Sequence, residues 1–391
     1  MRNCIPLLAL SCLAAANPMA AQDTAFAQLA HRVVTTSAGV KPGEAVVLSG
    51  GIHTIPLLEA LAIEVQKAGG FATIFLASDR VAKSQLVDVP ERFLAQPPTF
   101  FAEWIKHIDV WIALPEVADP ASFYRDIPDS RLAIAGKAGQ MINDMLNAAP
   151  VRVVSVGYPT RQNAASYHVD FDAFQHMHWD AVNTDYARVA QVGAALKRRL
   201  RGAKIVRIES PNGTDIRFAI GDRPIFLDQG IVTAENAKSK VFRDRTARLP
   251  GGSVFFAPVE TTVNGRVVVP RDDCKLRPLL GASYEFKNGK LTAFTAQTGA
   301  ECLREILNAH TGTKDVFASV SIGLNPALHV IEKDGDYRPA NAAGLVTLAI
   351  GQNDLLGGSN KDAGGFGFPV TNATVTVDGA IVVRDGRLVV P

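Results

Sequence analysis

The chain has 391 residues, with 40 Lys and Arg against 38 Asp and Glu and a formal net charge of +2. Because positive and negative charges are nearly equal in number, the protein has no net field that would attract nucleic acid or an anionic membrane surface. Hydrophobic residues make up 47% of the sequence, which at this length is enough for the cores of two domains. After the N-terminus, no stretch reaches the ~18 apolar residues of a membrane-spanning helix.

The first 21 residues have the pattern of an export signal. Arg2 gives a positive start, residues 5–16 form an apolar run, and residues 19–21 suit cleavage before Gln22. A buried N-terminal helix is the alternative interpretation. We expect a periplasmic or secreted mature chain, with an N-terminal domain at 22–200 and a C-terminal domain at 201–391.

Cleavage of the signal would leave Cys274 and Cys302 as the cysteines of the mature chain. In an oxidising compartment such a pair can form a disulfide that contributes about 3 kcal/mol to stability. Two separate buried thiols are the alternative, and the spacing of the two cysteines does not decide between them.

The N-terminal domain alternates predicted strands and helices. The apolar spacing predicts helices at 24–38 and 55–68, and apolar runs predict strands at 45–48, 71–76, 108–114, 131–135 and 151–156. This order predicts an α/β domain with an open, mostly parallel sheet covered by helices. The glycines after the first strand lack G-x-G-x-x-G spacing and no P-loop occurs, so we expect no nucleotide site.

A cluster of histidines and acids has the residue types of zinc ligands: His168, Asp170, Asp172, His176 and His178. The surrounding run at 171–182 is amphipathic and predicts a helix. On a helix, residues two apart point in different directions, so His176 and His178 would not converge on one ion. We interpret these side chains as surface or core histidines, with a zinc site as the alternative.

The C-terminal half follows a predicted helix at 185–200. Its basic end, 197–201, suits the negative pole of the helix dipole and is interpreted as a solvated helix end rather than a nucleic-acid patch. Later apolar runs, with an amphipathic helix within 292–308, predict an α+β domain with a mixed sheet that carries the cleft. Asn264-Gly265 predicts a hairpin after a strand at 254–258.

Two glycine-rich stretches follow in the C-terminal half. Gly and Asn residues at 351–360 predict a loop that needs positive φ or close approach to a ligand. The sequence GGFGF at 364–368 has two aromatic residues among glycines, which could cover a cleft or form a packed turn.

Several short motifs occur in a characteristic order: VKPGE at 40–44, LPGGSVFFAPVE at 249–260, IGLNP at 322–326, AIGQN followed by GG at 349–358, and TVTVDG at 374–379. Together they resemble the metallo-aminopeptidases of the aminopeptidase T type, over nearly the whole mature chain. The resemblance implies a two-domain fold and a homodimer. The dihydroxypyridine ring-opening dioxygenases resemble the same scaffold and use one iron.

The resemblance also implies where metal ligands would stand. Members of that family hold two metal ions with two Glu, two His and an Asp. At the corresponding positions this chain has Ser253, Ser319 and Thr347, and the closing His-x-Asp falls in the stretch AGGFGF at 363–368. Hydroxyls are poor substitutes for carboxylate and imidazole ligands. We therefore expect that the dinuclear metal site is lost and that no metal cofactor is bound.

The candidate cleft residues are those at or near these positions: Ser253, Glu260, Ser319, His329, Thr347, Asn360, Lys361 and Asp362. The first hypothesis is an aminopeptidase-like protein that binds, or acts without metal on, a small polar or peptide-like ligand. The alternatives are a working metal-dependent aminopeptidase, a ring-opening dioxygenase acting on a small aromatic, and an inactive subunit. Neither Ser253 nor Ser319 lies in a G-x-S-x-G elbow, so a serine hydrolase is disfavoured and catalytic residues stay unassigned.

Overall fold

The structure is a computed structural model that describes residues 18–274, 277–309, 312–332, 335–361 and 365–389. Most of the predicted export signal lies outside these residues, so export stays a prediction. Within the described ranges, none of the helices has both the length and the apolar character that crossing a bilayer requires.

The strands in chain order are β1 (Ala45–Gly51), β2 (Phe71–Ala77), β3 (Val110–Ala113), β4 (Arg152–Val156), β5 (Val206–Ser210), β6 (Thr214–Phe218), β7 (Ile225–Asp228), β8 (Thr246–Leu249), β9 (Ser253–Phe256), β10 (Asn264–Cys274), β11 (Arg277–Lys287), β12 (Lys290–Thr295), β13 (Phe317–Gly323), β14 (Val346–Gly351), β15 (Gly365–Val370), β16 (Thr374–Val377), β17 (Ala380–Arg384) and β18 (Arg387–Leu388).

The α-helices in chain order are α1 (Pro18–Arg32), α2 (Ile55–Lys67), α3 (Asp79–Val87), α4 (Glu91–Leu94), α5 (Thr99–Trp104), α6 (Pro120–Arg125), α7 (Asp129–Ala148), α8 (Arg161–Ser166), α9 (Phe171–Val182), α10 (Tyr186–Leu200) and α11 (Ala300–Ala309). A π-helical turn, Val33–Ser37, extends α1.

The N-terminal sheet confirms the predicted parallel α/β architecture. Its strand order is β2-β1-β3-β4-β8, and each neighbouring pair is parallel. The predicted strand at 131–135 is wrong, because these residues lie inside α7, where an alanine-rich sequence favours helix over a short apolar strand. Strand β8 joins this sheet from beyond residue 201, so the chain returns to the N-terminal sheet after α10. The domain boundary at 200–201 stays a prediction.

The C-terminal half forms two antiparallel sheets rather than the mixed sheet that the sequence predicted. The larger has the order β12-β11-β10-β6-β5-β16-β17-β18, and the smaller has the order β15-β14-β13-β9-β7. Their apolar faces share one core, in which Val254, Ile322 and Leu348 of the smaller sheet are fully buried. Helix α10 packs on the smaller sheet at Gly193, where a Cβ would lie 2.3 Å from Leu227.

The predicted hairpin at Asn264-Gly265 is wrong. Strand β9 pairs with β7 and β13 in the smaller sheet, whereas β10 pairs with β6 and β11 in the larger one. The chain changes sheets at the 3-10 turn Glu260–Thr262. Gly265 has φ 133° and lies against Asp215, whose carbonyl oxygen would be 2.2 Å from a Cβ. The glycine therefore permits close approach to β6 rather than a two-residue turn.

The predicted helix within 292–308 begins later than expected. Residues 290–295 form β12 instead, and α11 begins only at Ala300. Cys302 of α11 forms a disulfide with Cys274 at the end of β10, with their Cα atoms 6.1 Å apart. The bridge ties α11 to the larger sheet, and the alternative of two separate thiols is therefore excluded by the structure.

We predict that replacing both bridged cysteines by serine lowers the free energy of unfolding by about 3 kcal/mol, because the bridge closes a loop of 28 residues in the unfolded chain. Urea denaturation of the two proteins measures the difference. A reducing agent should destabilise the wild type by a similar amount and leave the double variant unchanged. Equal sensitivity of both proteins to the reductant would contradict this role of the bridge.

Candidate functional site

One face of the smaller antiparallel sheet is left open to solvent. Side chains alternate between the two faces along each strand, and residues directly opposite on neighbouring strands share a face. Phe255, Ser321 and Thr347 lie opposite one another in one row, and Ser319, Ala349 and Gly367 in the next. We call these six residues the open face. They are half-buried or exposed, whereas the alternating residues of the same strands belong to the core.

The open face brings together three of the predicted candidate residues. Ser319 and Thr347 belong to it directly, and Ser253 lies two residues before Phe255 on the same side of β9. Ser253 is the first residue of β9, stands opposite Gly323 and is only 4% exposed. The Oγ1 atom of Thr347 is buried and has no hydrogen-bond partner among the described residues.

A carboxylate that the sequence analysis did not select faces the same side as Ser253. Asp228 ends β7 directly opposite Ser253 and is buried, and burial raises its pKa. Its Oδ1 accepts hydrogen bonds from the backbone N–H groups of Gly230 and Arg248, at 3.1 and 3.3 Å. Its Oδ2 has no hydrogen-bond partner in the described part of the chain. The sequence signal that could have identified Asp228 is its position at the end of an apolar run, directly before a Gln-Gly turn.

Glu260, another candidate, serves a different part of the structure. Its Oε2 accepts a hydrogen bond of 2.6 Å from Arg223, and its Oε1 accepts bonds of 2.9 Å from the side chain of Asn353 and the N–H of Ser359. Burial alone would raise the pKa of Glu260, but these donors together outweigh burial and lower it. The carboxylate is therefore held ionised between β9 and the loop after β14.

The buried Asn360 forms hydrogen bonds within the same loop and to the start of β13. Its side-chain amide donates to the carbonyl oxygens of Phe317 and Gly351, and its backbone N–H donates to Asn353. The positive φ predicted for this loop is confirmed at Gly351 and Gly357. At Gly358 the close approach is to Asn353, whose side chain would lie 2.1 Å from a Cβ. Asn360 thus stabilises the loop instead of facing the open face.

Two further candidates, His329 and Lys361, are not brought to the open face. His329 is exposed and follows Leu328, which packs in a separate hydrophobic cluster with Phe174 of α9. Lys361 is exposed at the end of the loop, and Asp362 lies outside the described residues.

The two histidines of α9 face in different directions, as their spacing predicted. His176 is exposed, and its Nδ1 forms a hydrogen bond with the carbonyl oxygen of Asp172. His178 is buried beside Gly157 and Trp179, and burial lowers its pKa to about 4. The buried imidazole is therefore neutral at neutral pH and belongs to the packing of α9.

The donors at the open face do not fit a dinuclear metal centre. The three positions at which the resemblance implies ligands carry hydroxyls, and Gly367, within the stretch of the closing His-x-Asp, has no side chain. Asp228 offers a carboxylate, but its Oδ1 is already bonded to two backbone N–H groups. Among the described residues, which leave out 362–364, no group of three or more His, Cys, Asp or Glu side chains could hold a metal ion.

The sequence profile of a peptidase family described as "Thermophilic metalloprotease (M29)" matches residues 22–325. This chain belongs to the M29 family of peptidases. The match ends just after β13, so Thr347 and the stretch at 363–368 lie beyond it. A comparison with curated protein sequences found no match.

Two solved structures share the fold of this M29 chain. Wild-type AmpT from Thermus thermophilus is 18% identical, with a TM-score of 0.73, and the alignment covers 94% of this chain and 99% of that one. The 2,5-dihydroxypyridine dioxygenase from Pseudomonas putida is 15% identical, with a TM-score of 0.64 and coverage of 94% and 98%. At these identities the likeness establishes the fold alone.

We predict that Glu260→Gln lowers the free energy of unfolding by about 2 kcal/mol at pH 7, because it removes the charge that Arg223 and its neighbours bind. The folded-state pKa of Glu260 is lowered, so the ionised form contributes stability above the unfolded pKa near 4.5. That contribution is lost as the pH falls through the folded pKa. Denaturant titrations should therefore show the deficit of the variant shrinking towards pH 3.

A matched control is Glu285→Gln, which neutralises an exposed glutamate paired with an exposed arginine, Arg266. Exposed pairs contribute about 0–1 kcal/mol, so this variant should stay near the wild type. A deficit of Glu260→Gln that is the same at pH 3 and pH 7 would contradict the electrostatic role of Glu260.

Proposed function

We propose that this protein is an exported member of the M29 family that binds a small polar or peptide-like ligand on its open face without a dinuclear metal centre. The observation that carries the proposal is the chemistry of Ser253, Ser319 and Thr347. These three residues lie on one side of one sheet, at positions where the resemblance implies metal ligands, and all three carry hydroxyls. Hydroxyls bind polar ligands by hydrogen bonds but hold divalent cations weakly.

The proposed ligand class follows from the groups on and beside the open face. Ser319 and Ser321 present hydroxyls that both donate and accept hydrogen bonds, as the amide and carboxylate groups of a peptide require, and the buried Oγ1 of Thr347 beside them has no hydrogen-bond partner among the described residues. The stacked rings of Phe226 and Phe255, 5.6 Å apart, lie in the same row and offer an apolar contact for a side chain. Ala349 and Gly367 are small enough to let a ligand approach the backbone of the sheet.

Family membership supports a peptide-like ligand, because M29 is a family of peptidases. The family match stops at residue 325, before Thr347 and the stretch at 363–368. The segment in which the resemblance implies three of the five metal ligands is thus a segment that the family profile does not match. This supports divergence of the site on a retained scaffold.

Two features support export, which forms part of the proposal. The Cys274–Cys302 disulfide is the kind of bond that persists in oxidising compartments such as the periplasm. The family match begins at Gln22, where the sequence predicts that the mature chain begins.

We predict that the purified mature protein contains less than one equivalent of Zn, Co, Mn and Fe combined, as measured by mass spectrometry of the metals. It should not release N-terminal residues from a panel of peptides, with or without added Zn²⁺ or Co²⁺. A metal-dependent aminopeptidase assayed with the same metals serves as the positive control. Two equivalents of bound metal together with chelator-sensitive peptide hydrolysis would overturn the proposal and establish a working metallo-aminopeptidase.

We further predict that amino acids or short peptides raise the melting temperature of the wild type, because a ligand that binds only the folded state stabilises it. Ala349→Trp should abolish this shift by filling the open face between Ser319 and Gly367. The control Ala293→Trp places the same side chain on exposed strand β12 of the other sheet and should keep the full shift. Equal shifts in both variants would place the ligand elsewhere on the protein.

A further inference from the structure

A groove between α1 and α2 has the size of a small-molecule site. Its volume is about 860 Å³, within the range of roughly 300–1,000 Å³ that is common for such sites. Side chains of the two helices line it, together with Asn183 from the turn between α9 and α10. All of the lining residues stand at or before position 183, so the groove belongs to the N-terminal half and is separate from the open face. We call it the α1–α2 groove.

Helical spacing places polar side chains of both helices along the groove. On α1, Gln28 lies three residues before His31 and four before Arg32, so the three share one helix face. On α2, Glu64 and Lys67 are three residues apart and also share a face. The two polar faces meet across the groove, although 33 residues separate His31 from Glu64 in the sequence. The pattern of either helix alone does not show that they meet.

Glu64 is a buried carboxylate with two partners in the α1–α2 groove. Its Oε1 accepts a hydrogen bond of 2.7 Å from Nζ of Lys67, and its Oε2 lies 2.9 Å from Nδ1 of His31. The hydrogen bond from Lys67, and then that from His31, lower the pKa of Glu64, so the carboxylate is ionised at neutral pH. Glu64 and Lys67 thus neutralise each other. Glu64 is also the one acidic side chain among the described residues that line the groove.

Arg32 is therefore left without a counter-charge. Its side chain is half-buried, and the described part of the chain supplies no hydrogen-bond or ion-pair partner for its guanidinium. It lines the α1–α2 groove and also an adjoining cavity of about 260 Å³ beside Tyr186. A charge that is partly removed from water without a partner raises the free energy of the folded state. An anionic ligand would supply that partner, and a planar guanidinium fits a carboxylate through two parallel hydrogen bonds.

Small apolar side chains line the groove beside these charges. Ala25, Ala27 and Leu29 come from α1, and Ala68 directly follows α2. Burial of hydrocarbon against them is favourable by about 25 cal/mol per Å². An inorganic anion such as phosphate would gain nothing from these contacts, and the fixed charge of Glu64 would repel a dianion more strongly than a monoanion.

We propose that the α1–α2 groove binds a small monocarboxylic acid with an apolar body. Its carboxylate contacts Arg32, and its hydrocarbon lies against Ala27 and Leu29. The ionised Glu64 disfavours ligands with a second negative charge. This inference does not depend on the ligand proposed for the open face, because the two sites lie in different halves of the chain and share no residue.

The test uses hexanoate as the probe, titrated calorimetrically into the mature chain at neutral pH. The wild type should bind one equivalent per chain, whereas hexanol, hexylamine and inorganic phosphate at the same millimolar concentrations should not bind. Arg32→Gln should weaken hexanoate binding at least tenfold, because it removes a charge-assisted pair. Arg32→Lys should fall between the two, since it keeps the charge but loses the planar fork. Ala27→Trp should also weaken binding at least tenfold, because it fills the groove without changing its charge.

Arg384→Gln is the matched control, because Arg384 is exposed on β17 in the other half of the chain and should leave binding unchanged. Ala349→Trp, which fills the open face, should bind hexanoate as the wild type does, so the two sites are tested separately. Circular dichroism and the melting temperature establish that each variant is folded. A wild type that fails to bind hexanoate would overturn the proposal. So would equal affinities of the wild type and both groove variants, or binding of hexanol or phosphate as tight as that of hexanoate.

Discussion

The packing of the smaller antiparallel sheet against the larger one determines where any site in the C-terminal half can lie. Alternate residues of β9 and β14 enter the shared core, as do alternate residues of β13 after the irregularity at its start, and Val254, Ile322 and Leu348 are fully buried there. The intervening residues must then face the other side. Ser319 and Thr347 share the open face because of this alternation, although 28 residues separate them along the chain.

A second constraint holds one end of that sheet in place. Glu260 lies in the 3-10 turn after β9. Its carboxylate accepts hydrogen bonds from Arg223 and from Asn353 in the loop that follows β14. The same loop is tied to the start of β13 through Asn353 and Asn360. These polar contacts have little solvent around them, so the buried charge of Glu260 requires its partners to stay in position. The loop therefore belongs to the rigid frame beside the open face.

The two halves of the molecule differ in the surfaces that their sheets expose. In the C-terminal half, the open face carries the hydroxyl side chains of Ser319, Ser321 and Thr347. In the N-terminal half, the edge strand β2 is apolar on both faces and uncharged. The two surfaces therefore differ in chemistry, because the open face carries hydroxyl groups that can form hydrogen bonds whereas β2 exposes apolar side chains.

The sequence by itself determined the parallel α/β architecture of the N-terminal half, because apolar runs alternate there with helical periodicity. The order of its motifs carries a family resemblance, and it is that resemblance which implied that Ser253, Ser319 and Thr347 belong together. Tertiary structure alone decided the role of Glu260, whose partners Arg223 and Ser359 lie 37 and 99 residues away. It also decided the antiparallel pairing, the separation of β9 from β10, and the burial of Asp228 opposite Ser253. These features depend on which strands, distant in sequence, become neighbours in the fold. A local sequence pattern indicates that a residue is buried, but it does not indicate which distant residue packs against it.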